Sequence, residues 1–281
     1  MHHSKLTFNI FKFGWLARYA STSKVTEVKV YRYVPEVSKK PYLQTFSIEK
    51  KNVKGRMVLD LLNSIKDTLD SSLSYRRSCR EGICGSCAMN INGVNALACI
   101  TTVTDKVIIY PLPHSYVIRD LVVDMQMFYD QYKSIMPYMI KKSLKQDDIG
   151  KNTILQSIND SKKLEELYEC ILCACCSSSC PSYWWNSPRF LGPAALLHAY
   201  RWVIDSRDDG HEERMNQLKD NYSLFRCHTI SNCTIVCPKN LNPAKAIAEL
   251  KLLVSKFKKK QPPEPIKPIK AKVESDINTK K

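Results

Sequence analysis

Eleven of the twelve cysteines in this 281-residue chain fall into three sets whose spacings suit iron–sulfur clusters. Cys170-x2-Cys173-x2-Cys176-x3-Cys180-Pro181 is the run in which three thiolates hold one cluster and the fourth reaches across to a partner cluster. Downstream, Cys227, Ile230, Cys233 and Cys237-Pro238 repeat that spacing, with Ile230 where a cysteine is called for. Isoleucine has no atom able to bind iron. If Cys237 crosses to join Cys170, Cys173 and Cys176, one cluster has four thiolates; if Cys180 crosses the other way, the second has only Cys180, Cys227 and Cys233. Four ligands suit [4Fe–4S] and three suit [3Fe–4S]. Upstream, Cys79-x4-Cys84-x2-Cys87 with Cys99 further on has [2Fe–2S] spacing.

The residues around the upstream set agree with that chemistry. Asn92-Gly93 between two short alternating segments is a strong hairpin signal, and such a hairpin returns Cys99 beside Cys87. Gly82 and Gly85 lie inside the loop, where a chain wrapped closely around sulfide needs positive φ or bare backbone N–H groups. Cys175 is left over and reads as a small buried thiol. The competing reading of paired C-x2-C motifs is structural zinc, but zinc takes its ligands in fours and has no use for the x4-x2 spacing. No secretory signal is recognisable, and a chain of this length buries a core without disulfides.

These loops need a scaffold. Val28 and Val30, then Tyr42, Phe46 and Ile48, give two period-two strands around the Pro35 to Pro41 turn region, and Val58, Leu61, Leu62, Ile65 and Leu69 recur at helical spacing. A hairpin over 88–98 and a strand over 106–110 follow, which is a β-grasp order. Val117 to Tyr132 reads as a connecting helix, with the hinge between domains near residue 125. Beyond it the chain is helical: Ser161 can cap a helix through Leu164, Leu167 and Tyr168, while Pro193 and Pro243 sit at first-turn positions of two more helices. The expected class is α+β, a β-grasp domain over 25–125 followed by an all-helical domain over 126–257.

The stretches Ser78 to Cys87, Cys170 to Trp185, and Arg226 to Cys233 with Cys237-Pro238 resemble the iron–sulfur subunits of succinate dehydrogenase, respiratory complex II. The likeness covers roughly residues 25 to 257. It implies a plant-type ferredoxin fold for the first domain and a bacterial two-cluster ferredoxin fold for the second. It also implies a flavoprotein (FAD) subunit that oxidises succinate, hydrophobic membrane anchor subunits, and a ubiquinone acceptor. Electrons would pass singly from the flavoprotein through [2Fe–2S], [4Fe–4S] and [3Fe–4S] to the quinone, within the tricarboxylic acid cycle and respiratory chain. Pro181, Ser182, Trp185, His228 and Ile230 then become the quinone-site residues, with Trp185 as the indole donor to a quinone carbonyl. Trp184 is expected to pack in the core or against an anchor helix. His228 could assist proton uptake, or could instead hydrogen-bond a cluster sulfur or a haem propionate. Arg76, Arg77 and Arg80 beside Cys79 could raise the first cluster's potential or bind the flavoprotein's acidic surface.

The charge of +16 would suit nucleic acid or an acidic surface, but the basic residues form no recognition motif with aromatics. Much of the excess lies at the ends. Before Glu27, the first acidic residue, Lys5, Lys12, Arg18 and Lys24 stand among apolar and hydroxyl residues, the profile of a mitochondrial transit peptide over 1–24. Residues 258–281 form a Lys/Pro-rich tail expected to be disordered. No run approaches the eighteen apolar residues of a membrane helix, so a peripheral location on the matrix side of the inner mitochondrial membrane would depend on partners. The chain has no glycine-rich dinucleotide fingerprint and no Ser/His/Asp set, so electron transfer is favoured over bond-making chemistry. Alternatives are a fumarate reductase subunit running the relay in reverse, and a zinc-stabilised binding module without redox function.

Overall fold

A computed structural model of the protein describes residues 25–257, apart from 38–39, 54, 143–149 and 152. The transit-peptide reading of 1–24 and the disordered-tail reading of 258–281 lie outside the described residues. The chain opens on strands β1 (Val25–Arg32) and β2 (Tyr42–Glu49), then helix α1 (Val58–Thr68), the hairpin β3 (Ala88–Ile91) and β4 (Val94–Leu97), and β5 (Lys106–Tyr110). The sheet order is β2-β1-β5-β3-β4, with β1 and β5 parallel and the other neighbours antiparallel. This is the mixed sheet of a β-grasp unit. Val28 and Val30 of β1, with Val107 and Ile109 of β5, turn inward, and α1 buries Val58, Leu59, Leu61, Leu62 and Ile65 in the same core. The α1 terminus is closed by Asp60, whose carboxylate accepts the Met57 N–H at 3.1 Å and also holds Arg80 at 3.0 Å.

One inward position of β1 carries a charge. Arg32 is buried and donates from Nε to Asp120 at 3.0 Å and from Nη2 to the Ser72 hydroxyl at 2.7 Å, with Asp70 and Gln44 on its remaining nitrogen. Asp120 also accepts the backbone N–H groups of Tyr33 and Ser74. Its φ of 46° places it at the turn of a small hairpin, β6 (Val117–Arg119) with β7 (Val122–Val123). This corrects the expected helix from Val117. The pull of a buried guanidinium on Asp120 overrides the helical spacing, and the helix α2 runs only over Gln126–Ser134.

The second half is helical among its described residues: α3 (Ile158–Lys162), α4 (Cys175–Ser178), α5 (Pro181–Asn186), α6 (Gly192–Val203), α7 (His211–Gln217), α8 (Asn232–Ile235) and α9 (Pro243–Phe257). Ser157, not Ser161, caps α3: its hydroxyl oxygen accepts the Asp160 N–H at 3.0 Å. The helix ends at Lys162, well short of the expected reach to Tyr168. Pro193 and Pro243 open α6 and α9, as their fixed φ favours. Leu196, Ala199 and Val203 of α6 meet Ile247, Leu250 and Val254 of α9 in the core of this half.

A buried ion pair ties the outer loops down. Arg214 of α7, 1% exposed, pairs with Asp208 and donates to the carbonyl oxygens of Ile135 (3.2 Å), Met136 (2.9 Å) and Tyr138 (2.7 Å). On α6, His198 is 7% exposed, sits edge-on to Tyr132 at 5.0 Å, and its Nε2 has no hydrogen-bond partner among the described residues. Burial, and secondarily the Arg201 charge, pull its pKa down to about 4. In the unfolded chain it returns to about 6.5, so below that pH the unfolded state takes up the proton first. Stability is therefore expected to decline as pH falls from about 6.5 towards about 4. Denaturation midpoints measured across that window should flatten in His198→Leu, whereas an unchanged slope would rule the histidine out as the cause.

Candidate iron–sulfur centres

The first set of thiols lines a loop folded over the end of the sheet. Arg80, Gly82 and Gly85 all have φ between 64° and 75°, which turns consecutive backbone N–H groups inward. The Cys79 sulfur accepts from Ile83 N at 3.3 Å and Cys84 N at 3.2 Å, and Cys84 accepts from Cys79 N at 3.4 Å and Ser86 N at 3.5 Å. With the Glu81 N–H the strongest contributor, these donors hold the Cys79 thiol down at about 6, thiolate at neutral pH and ready to bind metal. The Asn92-Gly93 turn, with both φ positive, returns the chain so that Cys99 reaches Cys87. Cys87 is buried and pushed up to about 12 by desolvation, with Cys84 and Cys99 close enough to add to the shift. Arg80 is engaged by Asp60, while Arg77 is exposed.

The two downstream runs share one backbone shape. Leu172 and Ala174 follow Cys170 with φ of 53° and 65°; Thr229 and Ser231 follow Cys227 with φ of 59° and 68°. Ala174 then caps α4, whose second residue is Cys176, and Ser231 caps α8, whose second residue is Cys233. Ile230 therefore occupies the turn position of Cys173. Left-handed conformations are costly for such residues and persist where the surroundings demand them, here to aim N–H groups at a common space.

Each run borrows the last cysteine of the other. Cys170, Cys173, Cys176 and Cys237 line a cavity with about 380 Å³ of empty space, part of it open to solvent, walled by Ala194, Leu197 and Leu241. Burial pushes Cys170 up to about 11 and raises Cys176, with mutual repulsion among Cys170, Cys173 and Cys237 adding to it. Cys175 is fully buried and hydrogen-bonds through its thiol to Cys173, which lowers the Cys173 pKa. Cys180, Cys227 and Cys233 line a second cavity of about 360 Å³ together with Pro181, Ser182, His228 and Ile230. Burial pushes Cys233 up to about 11, and Cys180 and Cys227 add to the shift. Among the described residues, no three His, Cys, Asp or Glu side chains converge on a point suited to one metal ion.

These donor sets fit clusters. Buried thiolates without a countercharge are unfavourable, which is why Cys87, Cys170, Cys176, Cys180 and Cys233 are pushed up here; iron would displace their protons and supply the missing charge. The proposed quinone residues divide. Pro181, Ser182, His228 and Ile230 line the three-cysteine cavity, and Ile230 is 50% exposed at its mouth. Trp185 does not line it but stands outward on α5, 76% exposed. Trp184 is half-buried outside the core clusters, its indole N–H donating to the Ser178 carbonyl at 2.8 Å and its ring stacked on His114 at 4.1 Å. Sequence reading missed Asn95, a buried side chain that joins the hairpin to the second cysteine loop. The available signal was an asparagine at an inward position of a strand.

Residues 27–130 match the family described as the 2Fe-2S iron-sulfur cluster binding domain, and residues 169–242 match the 4Fe-4S dicluster domain. In fold, the chain is similar to one in the structure described as the Mycobacterium smegmatis Sdh1 complex in the apo form. The two share 25% identity over 86% of this chain and 98% of that one, with a TM-score of 0.74. A hypothetical protein from Helicobacter pylori aligns at 18% identity over 83% of this chain and 40% of its own, with a TM-score of 0.49. The chain is thus an electron-transfer iron–sulfur protein, a mixed-sheet 2Fe-2S domain followed by a helical 4Fe-4S dicluster domain.

Proposed function

We propose that this chain is the iron–sulfur subunit of a succinate:ubiquinone oxidoreductase, carrying electrons from a flavoprotein subunit to a quinone. The observation that carries this reading is the end-to-end likeness to a chain of the Sdh1 complex, spanning 98% of that chain. Cys79, Cys84, Cys87 and Cys99 would hold a [2Fe–2S] cluster, Cys170, Cys173, Cys176 and Cys237 a [4Fe–4S] cluster, and Cys180, Cys227 and Cys233 a [3Fe–4S] cluster. When bound, such clusters accept and release single electrons at potentials tuned by cluster type, hydrogen bonds to sulfur and burial. The chain's own residues supply that tuning. Backbone N–H groups at Ile83 and Cys84 would stabilise the more negative reduced state of the first centre, and Ala194, Leu197 and Leu241 give the second an apolar wall.

The three-cysteine cavity opens to the surface beside Ile230 and His228, which suits it to be the exit. Among the described residues no helix is long and apolar enough to cross a membrane, so delivery to a lipid-soluble quinone would require anchor subunits docked at this face. With the basic start at 1–24, the reading puts the assembly on the matrix side of the inner mitochondrial membrane. Trp185, exposed on α5 beyond the lining residues Pro181 and Ser182, would then donate its indole N–H to the quinone, with His228 handling the proton. In the purified complex, Trp185→Leu and His228→Ala should each raise the quinone KM roughly tenfold, the scale of one lost hydrogen bond. Succinate oxidation with an artificial acceptor that takes electrons at the flavin should stay unchanged. Unaltered quinone kinetics in both variants would exclude this exit, and failure of succinate to reduce the iron centres would exclude the succinate reading.

A further inference from the structure

The loops of the first and second cysteine sets meet at a seam where one residue has no room for a side chain. Gly85, between Cys84 and Cys87, has a φ of 71°. A Cβ there would lie 2.9 Å from the Ile171 carbonyl oxygen and 3.0 Å from both Cα and Cβ of Cys173. The obstacle is backbone, which cannot swing aside as a flexible side chain would. Any larger residue at 85 must therefore push the two loops apart or distort one of them.

A second contact crosses the same seam. Asn95 of β4 is 4% exposed and turned inward beside Leu97. Its Nδ2 donates to the Cys175 carbonyl at 3.1 Å, and its Oδ1 accepts from Asn90 Nδ2 at 2.9 Å. A buried amide is costly unless both ends are bonded, and here one bond is local while the other reaches across eighty residues of sequence. Around it, Cys87 and Cys99 of the first set share one continuous apolar core with Cys173 and Cys176 of the second and with Cys175 between them.

We infer that Gly85 and Asn95 are positioning residues for electron transfer between the first and second centres. Gly85 sets how closely the two loops approach, and Asn95 sets the register of the hairpin on the second loop. One electron passes, the first centre being oxidised and the second reduced, with no bond or proton exchanged. The inference rests on the cluster assignment proposed above. The test uses the whole complex with Gly85→Ala and with Asn95→Leu, reading iron content, the paramagnetic resonance signal of each centre, the magnetic coupling between them, and the intercentre transfer rate.

Iron content and the separate signals should hold in both variants, while the coupling weakens and transfer slows several-fold. Should Gly85→Ala fail to assemble, Asn95→Leu decides alone, because its side chain approaches the second loop without lying between ligands. Wild-type coupling and rate in Asn95→Leu would overturn the inference. So would loss of either centre in that variant, since the residue would then serve assembly and not spacing. Missing signals in the wild-type complex would instead overturn the cluster assignment beneath it.

Discussion

Replacing Ile230 with cysteine is expected to add about one iron to the chain, turning the three-thiolate site into a four-thiolate one. The geometry is already prepared. Thr229 and Ser231 flank position 230 with the same left-handed turns that Leu172 and Ala174 place around Cys173, so a cysteine there would present its sulfur to the cavity of Cys180, Cys227 and Cys233. A fourth thiolate adds negative charge and lowers the potential of the centre. Each fall of about 59 mV costs about tenfold in the equilibrium of a one-electron step. Quinone reduction should therefore drop steeply while reduction of the first centre persists. The measurement is iron content with paramagnetic resonance of the oxidised protein; an unaltered three-iron signal would show that position 230 does not face the cluster.

Removing Arg214 is the change expected to cost most in stability. Its guanidinium satisfies three carbonyl oxygens and neutralises Asp208, whose side chain is fully buried. Arg214→Met would leave that buried carboxylate without its countercharge, held only by the Ile140 and Gly210 N–H groups, and would take the guanidinium donors from the carbonyls at 135–138. Stranding one partner of a buried pair costs about 3–5 kcal/mol. For a chain of this size that corresponds to a fall of about 6–20 °C in the apparent melting midpoint. Adding Asp208→Asn should recover part of the loss, because the two groups act on each other. A midpoint within about 2 °C of the parent, measured on metal-loaded protein, would show that the pair is not a structural tie.

The features that could be read from sequence were those set by short-range spacing. The cysteine runs are local, so their three sets and the isoleucine gap could be laid out from the chain alone. Period-two apolar residues gave β1, β2 and β5, and Asn92-Gly93 gave the hairpin. Proline marked the starts of α6 and α9. What went unread depends on partners far along the chain. Val117 to Val123 has enough apolar residues for a helix turn, and the partners Asp120 finds far back in the chain, Arg32, Tyr33 and Ser74, explain why it breaks this segment into a hairpin. Ser157 and Ser161 are equally plausible caps by type; the reciprocal bond between Ser157 and Asp160 selects the first. Trp185 was singled out through resemblance, and the structure leaves it outside the cavity, where an acceptor or partner must come to it. At the seam, the need for glycine at 85 was legible from its place in the cysteine loop, but that its missing Cβ makes room for the Ile171 to Cys173 backbone, and that Asn95 bonds the Cys175 carbonyl, depends on residues some eighty positions away.

Chemical analysis of the purified complex tests the central claim most directly: iron, zinc and acid-labile sulfide per copy of this chain, with paramagnetic resonance before and after addition of succinate. Three centres should give about nine irons, no stoichiometric zinc, a three-iron signal in the oxidised protein and a [2Fe–2S] signal on reduction. Zinc without acid-labile sulfide, or far fewer irons with only one kind of centre, would contradict it.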